Sequence, residues 1–282
     1  MVDFGNKNRA KLKTIDPEKI YLFNGCLALM RILIFLILTS LLIIPFITFK
    51  FLAPVRVIPD VHLYLKIKWS KLALWFCGIR LETHGELANS ANVFAVNHVS
   101  WIDIIAIQSR INVVFVAKSE VKHWPIFGFL AGLADTLFFD RRVMAAKNQQ
   151  KYLLNCIRKG NKICFFPEGT SSDGSEVLPF KSTLFQVFIN SDSSNSESFW
   201  LQPITLFFQA EKQYPKDFYA WWNEMNLASH MFKVLALSRS GKLHLYFHEP
   251  INTFGKSDRK VLSSQVESVI RSKLLASSEY QK

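Results

Sequence analysis

Cysteine is scarce in this chain, and its cysteines are not paired. The four in 282 residues, Cys26, Cys77, Cys156 and Cys164, form no CxxC and no other paired spacing. That argues against a disulfide framework and against a cysteine metal centre, and it favours a reducing compartment. Acidic residues are few as well: 22 Asp and Glu stand against 34 Lys and Arg, a net charge of +12. Such a surplus favours a polyanionic partner, either nucleic acid or an anionic bilayer. No zinc-finger spacing, RNA-recognition signature or basic heptad region is present, so no motif supports nucleic acid as a partner. The long apolar run starts only after Arg31 and ends without a small-x-small cleavage site, which argues against a cleaved secretory leader.

Apolar and aromatic residues are plentiful. The chain is 50% hydrophobic and holds 25 Phe, enough for one sizeable core and a membrane-seeking segment. Lys7, Arg9, Lys11, Lys13 and Lys19 make a basic tail suited to anionic lipid. Residues 32–49 are nearly all apolar, bounded by Arg31 and Lys50 and interrupted by Pro45. A bilayer core needs about 20 such residues. A single span with the basic tail in the cytosol would carry the rest of the chain to the far side. A helix that enters one leaflet and returns is the alternative. Residues 62–78 interleave Leu, Trp and Ile with Lys66, Lys68 and Lys71, which suits the bilayer interface.

From residue 80 the pattern alternates. Strands are expected at 80–83, 93–97, 112–117, 136–139, 162–166, 201–208 and 242–248. Helices are expected at 101–109, 124–134, 143–159, 182–190 and 258–275. This predicts an α/β fold: a single domain over 80–282 with a mixed, largely parallel sheet flanked by helices. An N-terminal membrane-associating helical segment and basic tail, residues 1–79, precede it. The polar stretch 191–198 is a loop.

The chemistry gathers where strands end. Val93-Phe94-Ala95-Val96 runs into Asn97-His98-Val99-Ser100-Trp101-Ile102-Asp103. A neutral imidazole held by a carboxylate is a ready general base. Within one ideal helix the two side chains would diverge by roughly 140°. They converge if His98 stays on the loop and Ser100 caps the helix. Spacing alone is equally compatible with a capping His and an Asp that favours the helix's positive end. Other polar groups follow apolar runs at Lys118, at Asp140-Arg141-Arg142, at Pro167-Glu168-Gly169-Thr170-Ser171 and around Pro203. If these strands are parallel, His98, Lys118, Arg141 and Glu168 face one cleft. No metal site is expected.

Asn97-His98 through Asp103 resembles the NHxxxxD motif of the glycerolipid acyltransferase family, whose bacterial members include 1-acyl-sn-glycerol-3-phosphate (lysophosphatidic acid) acyltransferases. Phe138-Phe139-Asp140-Arg141 resembles that family's second motif. Phe166-Pro167-Glu168-Gly169-Thr170-Ser171 resembles its FPEGTRS block, and Pro203 its proline-containing fourth. The four blocks stand in the family's order between residues 80 and 206. Two departures stand out. Ser171 replaces the block's arginine, and Ser182-Thr183 replaces the glycine that usually follows Pro179-Phe180-Lys181.

The resemblance implies acyl transfer from acyl-CoA or acyl carrier protein to a lysolipid hydroxyl, with lysophosphatidic acid as acceptor and phosphatidic acid as product. It requires no bound cofactor. His98 would be the base, Asp103 its orienter, Lys118 and Arg141 the phosphate grip, and Glu168, Gly169 and Thr170 the shapers of the acceptor site. The absence of a Gly-x-Ser-x-Gly elbow disfavours a covalent acyl-enzyme. Location would be the cytoplasmic membrane, with the active domain on the cytosolic face. Residues 213–234, containing Tyr219-Ala220-Trp221-Trp222, resemble a stretch in relatives that acylate lyso-ornithine lipid, which keeps that acceptor open. A non-catalytic basic lipid-binding module is the reading from another class.

Overall fold

The computed structural model describes residues 22–53, 60–139, 147–189 and 199–279. The sheet runs β1 (Ile79–His84), β7 (Gly241–Phe247), β6 (Trp200–Gln209), β2 (Val93–Val96), β5 (Ile163–Phe165), β3 (Val114–Lys118) and β4 (Leu137–Phe139), with the short β8 (Ile251–Asn252) on β6. Strands β6, β2, β5, β3 and β4 are parallel. The β6–β7 pairing is antiparallel, and β1 runs parallel to β7. The sheet is therefore mixed and largely parallel, as the alternation predicts.

Strand β2 lies between β5 and β6, and all four of its residues are buried. Its side chains alternate between two cores. Phe94 and Val96 face one with α2 (Val61–Phe76), α3 (Ile102–Gln108) and α6 (Leu227–Leu237); Val93 and Ala95 face the other with α5 (Lys147–Arg158) and α7 (Arg259–Glu279). Ala73, Leu74 and Phe76 of α2 belong to the first core, so the N-terminal helices are packed into the α/β unit.

Pro203 lies within β6, where it cannot donate to the ladder. His248 N still donates to Pro203 O at 3.1 Å. The carbonyl of His248 takes its donor from the side chain of Gln202, Nε2 to O at 2.8 Å. The buried amide beside the proline thus supplies the donor that the imino acid lacks.

Helix α1 (Leu22–Leu52) continues through Pro45 and is long and apolar enough to cross a membrane. Its two sides differ. Ala28, Ile32, Phe35 and Leu38 pack on the core, with the Phe35 ring 5.7 Å from Trp69. Leu29, Leu33, Leu36, Ile37, Leu41 and Ile44 recur at helical spacing on the exposed side. Arg31 Nη1 donates to Leu235 O (2.8 Å) and Ser238 O (3.0 Å). Near the other end Lys50 Nζ donates to Leu133 O (2.6 Å) and pairs with Asp135 (2.7 Å), just past α4 (Phe127–Leu133). These anchors are about 28 Å apart along the helix. A helix tied at both ends to one domain lies along its flank. A perpendicular span would carry one end away.

Some elements differ from expectation. The stretch after Lys181 is a 3-10 helix, Ser182–Phe188, whose Phe185 and Phe188 rings lie 5.3 and 5.5 Å from Phe165. The helix expected at 124–134 starts past Pro125, as α4, and a separate 3-10 turn, Ser119–His123, precedes it. Residues 143–146 of the expected helix lie outside the described residues. Helix α6, capped by Asn226 Oδ1 accepting from Ser229 N at 3.0 Å, occupies the end of the aromatic extension.

Candidate active site

Strand β2 stops pairing at Val96, and Asn97 carries its ladder one step further by side chain. Asn97 Nδ2 donates to Leu206 O at 3.0 Å, and Oδ1 accepts from Leu206 N at 2.7 Å. His98 follows on the loop at the C-terminal edge of the parallel strands. Asp103 lies in the first turn of α3, with 0% exposure. One oxygen, Oδ2, accepts from His98 Nδ1 at 2.7 Å, Val99 N at 2.7 Å and Ser100 N at 2.9 Å. The acid thereby satisfies backbone donors at a helix start and complements the positive end of α3.

The loop position of His98 and its convergence with Asp103 are as the spacing required. The expected cap is not. Trp101 occupies the N-cap position, and the Ser100 hydroxyl is buried without a hydrogen-bond partner. Asp103 reaches back to do that work.

A carboxylate only accepts, so His98 Nδ1 carries the proton and Nε2 presents a lone pair. Phe166 stacks on the imidazole at 4.1 Å and 18°, with Phe115 stacked behind Phe166 at 6.2 Å. The His98 side chain is 17% exposed, so it is held from behind and open in front.

The loop after β5 grips the same histidine by its backbone. Glu168 Oε1 accepts from His98 N at 2.6 Å, and Ser172 N donates to His98 O at 2.9 Å. Glu168 Oε2 accepts from Leu178 N at 2.8 Å. Glu168 is 2% exposed, and burial outweighs its two backbone donors, pushing its carboxyl up to about 8. Both its oxygens are thus directed to backbone amides that fix the loops.

Gly169 has φ +70, and a Cβ there would lie 2.6 Å from Lys181 Nζ, so an ammonium rests against this turn. Thr170 is exposed beside it. Lys118 ends β3 on the same edge. Arg141 lies outside the described residues, two positions past the end of β4 at Phe139. The edge therefore brings together His98, Asp103, Glu168, Gly169, Thr170 and Lys118.

Sequence reasoning missed four further supports. Trp221 N donates to Val99 O at 2.9 Å, and Trp101 Nε1 donates to His230 Nδ1 at 3.0 Å. Burial pushes His230 down to about 3, so it stays a neutral acceptor. With Phe166 and Ser172, these residues lock the motif from three directions. The aromatic density of residues 213–234 hinted at Trp221 and His230 alone.

The family model described as Acyltransferase matches residues 79–206. A lyso-ornithine lipid O-acyltransferase of Rhodobacter capsulatus is 36% identical over 202 residues, 72% of this chain and 72% of its own length. A 1-acyl-sn-glycerol-3-phosphate acyltransferase of Neisseria gonorrhoeae is 37% identical over 97 residues, 34% of this chain and 38% of its own length. Among solved structures, the 1-acyl-sn-glycerophosphate acyltransferase PlsC of Thermotoga maritima shares the fold: TM-score 0.62, 17% identity, 92% of this chain and 96% of that one.

Proposed function

Because this chain belongs to the glycerolipid acyltransferase family, we propose that it moves a fatty acyl group from a thioester to the hydroxyl of lyso-ornithine lipid, with lysophosphatidic acid as the second reading. The observation that carries the choice is the extent of the likeness. The Rhodobacter relative matches over 72% of this chain, the Neisseria relative over 34%. Ser171 in place of the motif's arginine supports it, since a carboxylate-and-amine headgroup needs less cationic grip than a phosphate. Lys181, Lys118 and Arg141 are the cations assigned to the headgroup in either reading.

In the proposed step His98 Nε2 takes the acceptor hydroxyl proton as the oxygen attacks the thioester carbonyl. The tetrahedral intermediate collapses, the carbon–sulfur bond breaks, and the thiolate leaves with the proton from Nε2. Asp103 keeps the tautomer and stabilises the imidazolium, and no acyl-enzyme forms. The donor is acyl-CoA or acyl carrier protein.

The exposed apolar side of α1 supports a helix lying in one leaflet of the cytoplasmic membrane, and the domain is assigned to the cytosolic face because the thioester donors of this reading are cytosolic. An acceptor could then reach His98 without leaving the bilayer.

The test is a panel of lysolipids with both donor types. The proposal expects kcat/KM for lyso-ornithine lipid at least ~10-fold above that for lysophosphatidic acid. A preference of that size for lysophosphatidic acid would overturn the acceptor assignment and leave the reaction type intact.

A further inference from the structure

We propose that Glu82, His84 and His244 form a binding site for one zinc-type divalent transition-metal ion, clipping the edge strand β1 to β7. The placement follows from the pleat. Glu82 and His84 are two residues apart on β1 and share a face, and His244 is the register partner of Glu82 on β7. Their ligand atoms all lie within 4.8 Å of one another. His244 Nδ1 is 3.1 Å from His84 Nε2 and 3.4 Å from Glu82 Oε2. Ligands bound tetrahedrally to zinc at ~2.0–2.1 Å sit about 3.3 Å apart, so the two spacings from His244 match edges of a tetrahedron, and the third, Glu82 to His84, is within 4.8 Å.

Two neighbours set the chemistry of the donors. His244 Nε2 lies 3.3 Å from Gln209 Oε1. That amide oxygen only accepts, so Nε2 carries the proton and Nδ1 turns a bare lone pair toward the other two groups. A second ring nitrogen donating to a protein oxygen is the usual support of a metal-bound histidine. Lys242 Nζ holds Glu82 Oε1 at 2.9 Å, which leaves Oε2 for the ion. His84 binds by moving its proton from Nε2 to Nδ1, so that ligation releases none. A water or an outside ligand takes the fourth position.

The site stands apart from the His98–Asp103 pair across the sheet. Strand β1 is three steps from β2, about 14 Å at ~4.8 Å per strand, and its Glu82 and His84 lie, through His244 and Tyr246, level with Phe207 and Thr205 just past the C-terminal end of β2. Pairing on one side only among the described residues, β1 is the first strand after α2. An ion here pins the register of the strand that leaves the membrane-associated helices.

The experiment uses the untagged full chain, stripped by chelator and titrated with Zn2+ by calorimetry, with Co2+ as a spectroscopic probe of four-coordination. The expected result is one ion per chain, a dissociation constant on the order of micromolar, and a raised thermal midpoint. His84→Gln changes an exposed side chain and should weaken binding by at least ~10-fold, as should His244→Gln. His98→Ala should bind as wild type does, which separates this site from the His98–Asp103 pair. Absence of binding, or equal binding by His84→Gln and wild type, would overturn the proposal.

Discussion

Replacing Asp103 by Asn isolates the charge behind the histidine. Oδ2 accepts from three donors, His98 Nδ1, Val99 N and Ser100 N, at 2.7, 2.7 and 2.9 Å. An Asn oxygen placed there keeps all three. The amide nitrogen then falls where Oδ1 is buried without a partner, at a cost of ~1–3 kcal/mol in stability. The lost anion matters more to turnover. With charge centres about 4 Å apart and an effective dielectric near 20, a carboxylate stabilises an imidazolium by about 4 kcal/mol. At ~1.4 kcal/mol per decade, kcat should fall by roughly 10³. The assay is thiol release from acyl-CoA with lysolipid in mixed micelles, alongside circular dichroism and a thermal melt. Turnover within tenfold of wild type in a folded Asp103→Asn protein would show that the charge of Asp103 does not carry this stabilisation.

Two other outcomes follow. The native carboxyl of Glu168 titrates near 8, against an ordinary 4.5, so between those values the folded chain holds a proton that the unfolded chain has released. This contribution makes stability fall as pH rises across that window. Glu168→Gln should flatten the dependence of the urea midpoint on pH, and an unchanged slope would remove Glu168 as its source. Exchanging Leu33, Leu36 and Leu41 for Ser on the exposed side of α1 should weaken binding to anionic vesicles by ~10²-fold, at about 1 kcal/mol for each half-exposed side chain. Undiminished binding by the folded triple variant would remove this face from the membrane contact.

The parts of this molecule written in nearest neighbours were legible in its sequence. Buried parallel strands read as apolar runs, and the polar residues just past them had to share an edge once the strands were parallel. His98 and Asp103 could be paired because five residues place them together only when a loop precedes the helix. What escaped depends on contacts far along the chain. The grip of Glu168 and Ser172 on the His98 backbone spans some seventy residues, at 2.6 and 2.9 Å. Glu168 was expected to shape the acceptor site, and no local pattern showed that its oxygens meet the backbone amides of His98 and Leu178. Helix α6 was hidden by aromatic residues whose partners, Trp101 among them, lie more than a hundred positions earlier. Likewise, Glu82-x-His84 carries no signal until β7 brings up His244. Hydropathy was also blind to Arg31 and Lys50 finding partners on one domain.

In the proposed reaction the Nε2 of His98 deprotonates the lysolipid hydroxyl. The most direct test of that step is kcat for His98→Ala, with a thermal melt to show that the backbone clamps still hold the loop. The expected loss is ~10²–10⁴-fold, the usual worth of a general base. Turnover near the wild-type value in a folded His98→Ala protein would contradict it.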